Sequence, residues 1–373
     1  MDTRLLLNKL NKKPASNKKR LTYISALLAI LVVAWVAGST IIGNAVRPPE
    51  IPAVQAAVIT PIVPEVTTPP ALNIQEQVVE EEHWYEEDFD APMLNVYEER
   101  KENFFTFLIF GLTEGLNANT IMVAAFDADA NKGYVISIPR DTRVDVQRNS
   151  RKIVSAYNVG RLRGGGHEGG VERLKYEVQT LVGFRPDFYV SIDYEAFIHM
   201  IDAVGGVEVY VPFHMKYDDP CQDLHIDISE GLQTLDGADA LRFARYRRGN
   251  DNSYTITDYQ RIEHQQQVID SAFQSLLTPR TILRIPEFVS LFNEYVNSDL
   301  TYGELLWFSN QGRRIISGTN TDSLSFYTIP MLGTSGAPHW YEMADGYRIL
   351  ELINDTINPF VRDITAEDLR IVQ

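Results

Sequence analysis

The chain is poor in cysteine: Cys221 is the only one in 373 residues, which excludes an intrachain disulfide. An exported protein without that staple fits a bacterial surface better than a disulfide-built ectodomain. Base is scarce as well, with 34 Lys and Arg against 50 Asp and Glu and a net charge of −16. That balance excludes bulk nucleic-acid binding, which needs a basic face to displace counterions. The seven histidines form no His-Glu-x-x-His pair, and no serine sits in a nucleophile elbow, so neither a zinc-peptidase nor a hydrolase-triad reading has support. Gly164–Gly169 matches a spaced-glycine dinucleotide pattern only formally, because no strand leads directly into it, and it reads as a flexible loop. Asp127 and Asp129 lack the remaining ligands of a calcium loop, and Asp218, Asp219, Asp223 and Asp227 read as a solvated acidic loop.

What is present begins with an apolar run. Residues 21–46 carry no charged side chain, and Leu21–Ile42 as a helix would be about 33 Å long, enough for a hydrocarbon core of about 30 Å. Seven basic groups and one acid precede it, which places residues 1–20 in the cytoplasm and the rest outside. A retained anchor is favoured over a cleaved signal peptide, since the cleavage-like triplet Val54-Gln55-Ala56 lies far beyond the run. Residues 47–100 follow as a spacer: seven prolines fall in 47–72, and eight acids without a base in 76–90. The expected organisation is therefore a basic tail at 1–20, a transmembrane helix at 21–46, a linker at 47–100 and an extracellular domain at 101–373, with no internal repeat.

Within that domain, Phe104–Phe110, Thr120–Phe126, Gly133–Ile138, Phe188–Ile192 and Val207–Val211 read as strands rich in β-formers. Val171–Gly183, Glu195–Val204, Thr257–Leu277 and Pro286–Ser298 carry apolar residues at helical spacing. Strands interleaved with helices predict a layered α/β domain.

The informative polar residues are basic. Arg140 follows the strand ending at Pro139, and Phe243, Arg245 and Arg247 alternate as in a strand, which would project both arginines from one face. Arg261 and Gln265 stand four apart on one face of a helix. Taken singly, each is as well explained as a surface ion-pair residue. Taken together, they point to a site for an anionic ligand, because guanidinium forks match phosphate oxygens.

The blocks Ile136–Thr142 (ISIPRDT), Lys152–Tyr157 (KIVSAY), Asp202–Val207 (DAVGGV), Gly231–Leu241 (GLQTLDGADAL), Arg245-Tyr246-Arg247 and Asp258–Gln266 (DYQRIEHQQ) occur in this order. The set resembles the LytR-CpsA-Psr family, with a core over about residues 101–280 and a C-terminal portion over about 281–360. The resemblance implies an α/β fold with a mixed central sheet flanked by helices on both faces and a hydrophobic groove for a polyprenyl tail. It also implies an activity: transfer of a glycopolymer, of wall teichoic acid or capsular polysaccharide type, from a polyprenyl-pyrophosphate carrier to peptidoglycan. By the same resemblance Arg140, Lys152, Arg245, Arg247, Arg261 and Gln265 contact the pyrophosphate.

Two departures stand out. The family holds Mg²⁺ with two aspartates, and Thr113 and Asn119 stand at those positions here, with Glu114 adjacent but facing the other way in a strand. His264 replaces the usual arginine before Gln265. A non-catalytic binder of polyprenyl-linked intermediates, acting as scaffold or regulator, is accordingly the alternative reading.

Overall fold

Phe104–Leu112 (β1) is an unbroken run of β-formers because both of its faces are covered. Leu108 and Phe110 enter one core, while Phe105, Phe107 and Ile109 enter the cores on the other side. In the computed structural model, which describes residues 48–51, 99–113, 117–276, 285–317, 324–335 and 340–372, β1 lies near the middle of a six-stranded mixed sheet. Its neighbours are β2 (Ala118–Asp127), antiparallel, and β4 (Phe188–Ile192), parallel. Beyond β2 come β3 (Lys132–Ser137) and then β10 (Leu324–Thr328), which runs parallel to β3; the two-residue β9 (Asn297–Ser298) edges β4.

Helices cover both faces. On one side Leu174 and Val178 of α1 (Gly166–Val182) and Ile349 and Ile353 of α7 (Gly346–Thr356) pack with Leu108 and Phe110. On the other, Ala196 of α2 (Tyr194–Val204) meets Val190, Ile269 of α4 (Asp258–Leu276) meets Met122, and Trp307 of α6 (Tyr302–Ser317) meets Phe105. Phe292 of α5 (Ile285–Tyr295) adds to the same layer. The helix starts are chemically specified: Asp193 and Asp345 accept hydrogen bonds from Ala196 N and Arg348 N, capping α2 and α7. Thr257 and Gln260 form a reciprocal capping box at the head of α4.

A second, smaller core lies against this layer. Here β5 (Val207–Val211) pairs with β8 (Gly231–Leu235), and β6 (Met215–Asp219) with β7 (Leu224–Ile228). Val209, Met215 and Ile226 from these hairpins close over Phe243 of α3 (Gly237–Arg245). A last hairpin, β11 (Met331–Ser335) with β12 (Tyr341–Ala344), lies beside the turn that follows β3.

Three expectations are corrected. Residues 243–247 are not a strand: Asp236 caps α3 through Asp239 N, and Ala240, Phe243 and Ala244 are buried at helical spacing, so Arg245 ends the helix and Arg247 lies past it. Residues 164–169 are only in part a loop: Gly164 at φ 91° and Gly166 at φ 57° make a non-helical kink, and the rest of the segment is already the first turn of α1. The acidic segment around Asp218 and Asp227 is the β6–β7 hairpin, whose carboxylates bond His225 and His214. Residues 1–46, most of the spacer and Glu114 lie outside the described residues. Among the described residues no helix is long and apolar enough to cross a membrane.

Candidate functional site

A cavity of about 920 Å³ opens between the sheet and the second core. Ile109, Met122 and Ile192 form its sheet wall, and Leu224, Leu241 and Val268 face them. Its polar lining is dominated by Arg140, Arg245, Arg247, Arg248 and Arg261, accompanied by Thr113, Asn119 and Gln265. Arg247 and Arg248 are exposed, Arg140 and Arg245 half-buried and Arg261 buried, so the cations grade from the rim inward.

Each arginine is set by its element. Arg140 rides a tight turn in which Thr142 donates through both N–H and Oγ1 to the Pro139 carbonyl. The turn is pinned from outside, since Glu342 N donates to Asp141 O and Arg143 N to Glu342 O. Arg140 Nη1 donates to Asn119 Oδ1 at 3.3 Å. Arg261 and Gln265 share one face of α4, as their spacing predicts, and that face lines the cavity. Arg245 lies over the Tyr194 ring at 4.5 Å, which holds its guanidinium without using a hydrogen bond.

One carboxylate serves three of these cations. Asp258, at the start of α4, lies 3.5 Å from Arg140, 3.0 Å from Arg247 and 3.4 Å from Arg261. Asp258 itself lies outside the cavity lining; Asp193, the acid that does line it, is occupied as the α2 cap. Five guanidiniums therefore have these two carboxylates as neighbours; the buried Nε of Arg261 makes no hydrogen bond, and that of Arg140 has only the Asp258 ion pair at 3.5 Å. Burial lowers Arg261 to about 10, with Arg140 and Arg247 pushing the same way and Asp258 opposing. A cation cluster beside an apolar cavity has the chemistry to meet negative charge at one end and hydrocarbon at the other.

Lys152 stands apart from this set: it pairs with Asp141 at 3.0 Å and does not line the cavity. His264 is a core residue, stacked on Phe243 at 4.5 Å, and burial lowers it to about 4, so it carries no charge at neutral pH. Sequence reasoning missed Arg248 and the organising role of Asp258; the Asp258–Arg261 spacing of three on a helix was the available signal for the latter.

The metal expectation was tested against the donors. Thr113 and Asn119 both line the cavity, but each offers only neutral oxygens, and Asn119 Oδ1 is already engaged by Arg140. Among the described residues no group of three or more His, Cys, Asp or Glu side chains gathers to hold a metal. Mg²⁺ favours carboxylate ligands, so the neutral side chains of Thr113 and Asn119 do not fit it.

The fold and site define a mixed α/β domain with an arginine-lined, partly apolar pocket. The sequence model of the LytR_cpsA_psr family matches residues 71–357, and the chain belongs to that family. It is 26% identical over 215 residues to the Bacillus subtilis polyisoprenyl-teichoic acid–peptidoglycan teichoic acid transferase TagV, covering 55% of this chain and 52% of that protein. It is 28% identical over 253 residues to the Corynebacterium glutamicum cell wall biosynthesis protein LcpA, covering 62% and 46%. The regulatory protein MsrR of Staphylococcus aureus is 26% identical over 185 residues, 49% of this chain and 51% of that one. The chain thus spans about half the length of the curated relatives it matches. The crystal structure of B. subtilis TagV superposes with a TM-score of 0.54 at 24% identity, over 68% of this chain and 96% of that one. TagT bound to LIIa-WTA does so at 0.53 and 16%, over 68% and 89%. These likenesses establish the shared fold.

Proposed function

We propose that this protein is a membrane-anchored phosphotransferase that moves a cell-wall glycopolymer from a polyprenyl-pyrophosphate carrier to peptidoglycan. The observation that carries the reading is the cluster of arginines lining a largely apolar cavity, with the Nε of Arg261 buried and without a hydrogen bond. TagV, a relative, bears the name of a transferase of this kind, which supports the class of reaction.

In this reading the prenyl chain fills the cavity between Ile109, Met122 and Leu241. Arg140, Arg245, Arg247 and Arg261 hold the pyrophosphate, with Gln265 as a neutral donor. An acceptor sugar hydroxyl attacks the phosphorus that bears the glycan. The P–O bond to the carrier phosphate breaks, and polyprenyl phosphate departs with its charge met by guanidiniums already in place. Residues 21–46 anchor the chain with residues 1–20 inside, and the linker at 47–100 carries the extracellular domain at 101–373 to the wall.

The neutral oxygens of Thr113 and Asn119 favour a second reading, a non-catalytic binder of polyprenyl-linked intermediates. One experiment separates them. The purified full chain is given farnesyl pyrophosphate for binding, and a lipid-linked glycan with peptidoglycan for transfer. The transferase reading expects transfer, and expects Arg140→Ala to weaken pyrophosphate binding by roughly 10- to 100-fold, the worth of one charged hydrogen bond. Binding without transfer identifies the binder, and binding indifferent to Arg140 refutes the site.

A further inference from the structure

Transfer to a hydroxyl leaves a proton to be placed, and the carboxylates around the arginines differ in their freedom to take it. Asp258 is held by three guanidiniums, Asp141 by Lys152, and Asp193 by the head of α2. Glu342, on β12, is the exception: among the described residues no cation pairs with it. Its side chain accepts one hydrogen bond, from Tyr259 Oη to Oε2 at 3.4 Å. Its backbone is fixed on both sides, to Asp141 O at 3.0 Å and from Arg143 N at 2.9 Å, so the residue is tied to the turn that carries Arg140. Tyr259 in turn follows Asp258 directly on α4. Neither Tyr259, Asp258 nor Glu342 lines the apolar cavity, so this carboxylate stands outside it, beside the turn that carries Arg140.

We propose that Glu342 is the general base of the transfer and that the acceptor saccharide reaches the arginines across the β11–β12 hairpin. The inference rests on the transferase reading above. As the acceptor oxygen forms its bond to phosphorus and the carrier phosphate leaves with the electron pair of the broken P–O bond, the hydroxyl proton passes to the Glu342 carboxylate. A positioned base of this kind contributes about 10²- to 10⁴-fold. Its surroundings suit the task. Partial burial raises Glu342, the nearby charges of Asp141 and Asp258 raise it further, and the Tyr259 hydrogen bond opposes them. The charged and titratable groups facing it are Tyr259 and Asp258 from α4, and Asp141, backed by Lys152 and Arg140, from the turn.

The test uses the full chain with a lipid-linked glycan donor and peptidoglycan acceptor. Glu342→Gln, which keeps the backbone contacts, is expected to lower kcat at least about 100-fold with farnesyl pyrophosphate binding unchanged, and Glu342→Asp to restore part of the rate. In the wild type kcat/KM rises with pH as Glu342 ionises, and Glu342→Gln abolishes that limb. Tyr259→Phe removes the bond that favours the carboxylate, so the limb moves to higher pH, a shift that a purely structural role would not produce. Wild-type kcat with an unchanged acid limb in Glu342→Gln overturns the assignment and leaves the transferase reading standing. Loss of farnesyl pyrophosphate binding in that variant also overturns it. Absence of transfer by the wild type overturns both.

Discussion

Replacing Arg261 by Met separates what this residue does for the fold from what it does for the ligand. The substitution keeps an unbranched apolar stem on α4 and removes a guanidinium that is only 7% exposed. Holding that charge in the folded protein lowers its pKa from 12.5 to about 10, which corresponds to about 3 kcal/mol of destabilisation. The sign follows from linkage. The cost is present in full at every pH below about 10 and is relieved only as pH climbs above that toward the ordinary arginine range. At neutral pH the variant sheds it, while Asp258 retains Arg140 at 3.5 Å and Arg247 at 3.0 Å. Unfolding of the ligand-free variant is therefore expected to be unchanged or up to about 3 kcal/mol more costly. Binding moves the opposite way: losing one charged donor weakens inorganic pyrophosphate by roughly 10- to 100-fold. Thermal denaturation with and without pyrophosphate, together with titration calorimetry, reads both quantities. A variant less stable by more than about 1 kcal/mol with unaltered pyrophosphate affinity would refute the reasoning and make Arg261 a structural ion-pair residue.

Two more perturbations probe the surroundings. Pyrophosphate binding by the wild type is expected to change less than about twofold on addition of EDTA, whereas Thr113→Asp combined with Asn119→Asp should make it Mg²⁺-dependent by supplying hard carboxylate ligands; calorimetry in both buffers decides. His264, lowered to about 4 by burial, must stay neutral in the fold while its unfolded form protonates near 6.5. It therefore subtracts about 3 kcal/mol as pH falls from 6.5 to 4. His264→Phe should flatten that part of the stability curve in urea titrations, and an identical curve would show that His264 protonates freely.

Four strands of the central sheet, β1 to β4, were legible because each is a run rich in β-formers, β1 most clearly; the edge strands β9, two polar residues inside an expected helix, and β10 were not. Arg261 and Gln265 were legible for a similar reason, since a nineteen-residue helix fixes what four positions apart means. Arg245 and Arg247 were misread because alternation over five residues imitates a strand, while Ala240, Phe243 and Ala244 obey the period of the helix that is there. Asp258 and Glu342 carried little or no local signal. Their roles arise from packing α4 and β12 against a turn more than a hundred residues away in sequence, and a lone carboxylate has no period to reveal that.

The strap of backbone hydrogen bonds between Glu342 and the turn at 139–143 bears on synthesis as well. The clamp on Arg140 comes from a strand made about two hundred residues after it, and contacts of such separation form late because a long loop must close first. A nascent chain that has already paired β1 with β2 and β3 still has a loose arginine turn. The ordered arginine turn is thus withheld until the C-terminal hairpin has emerged and docked. A truncated product of interrupted translation would carry most of the sheet yet lack the strap that orders the Arg140 turn.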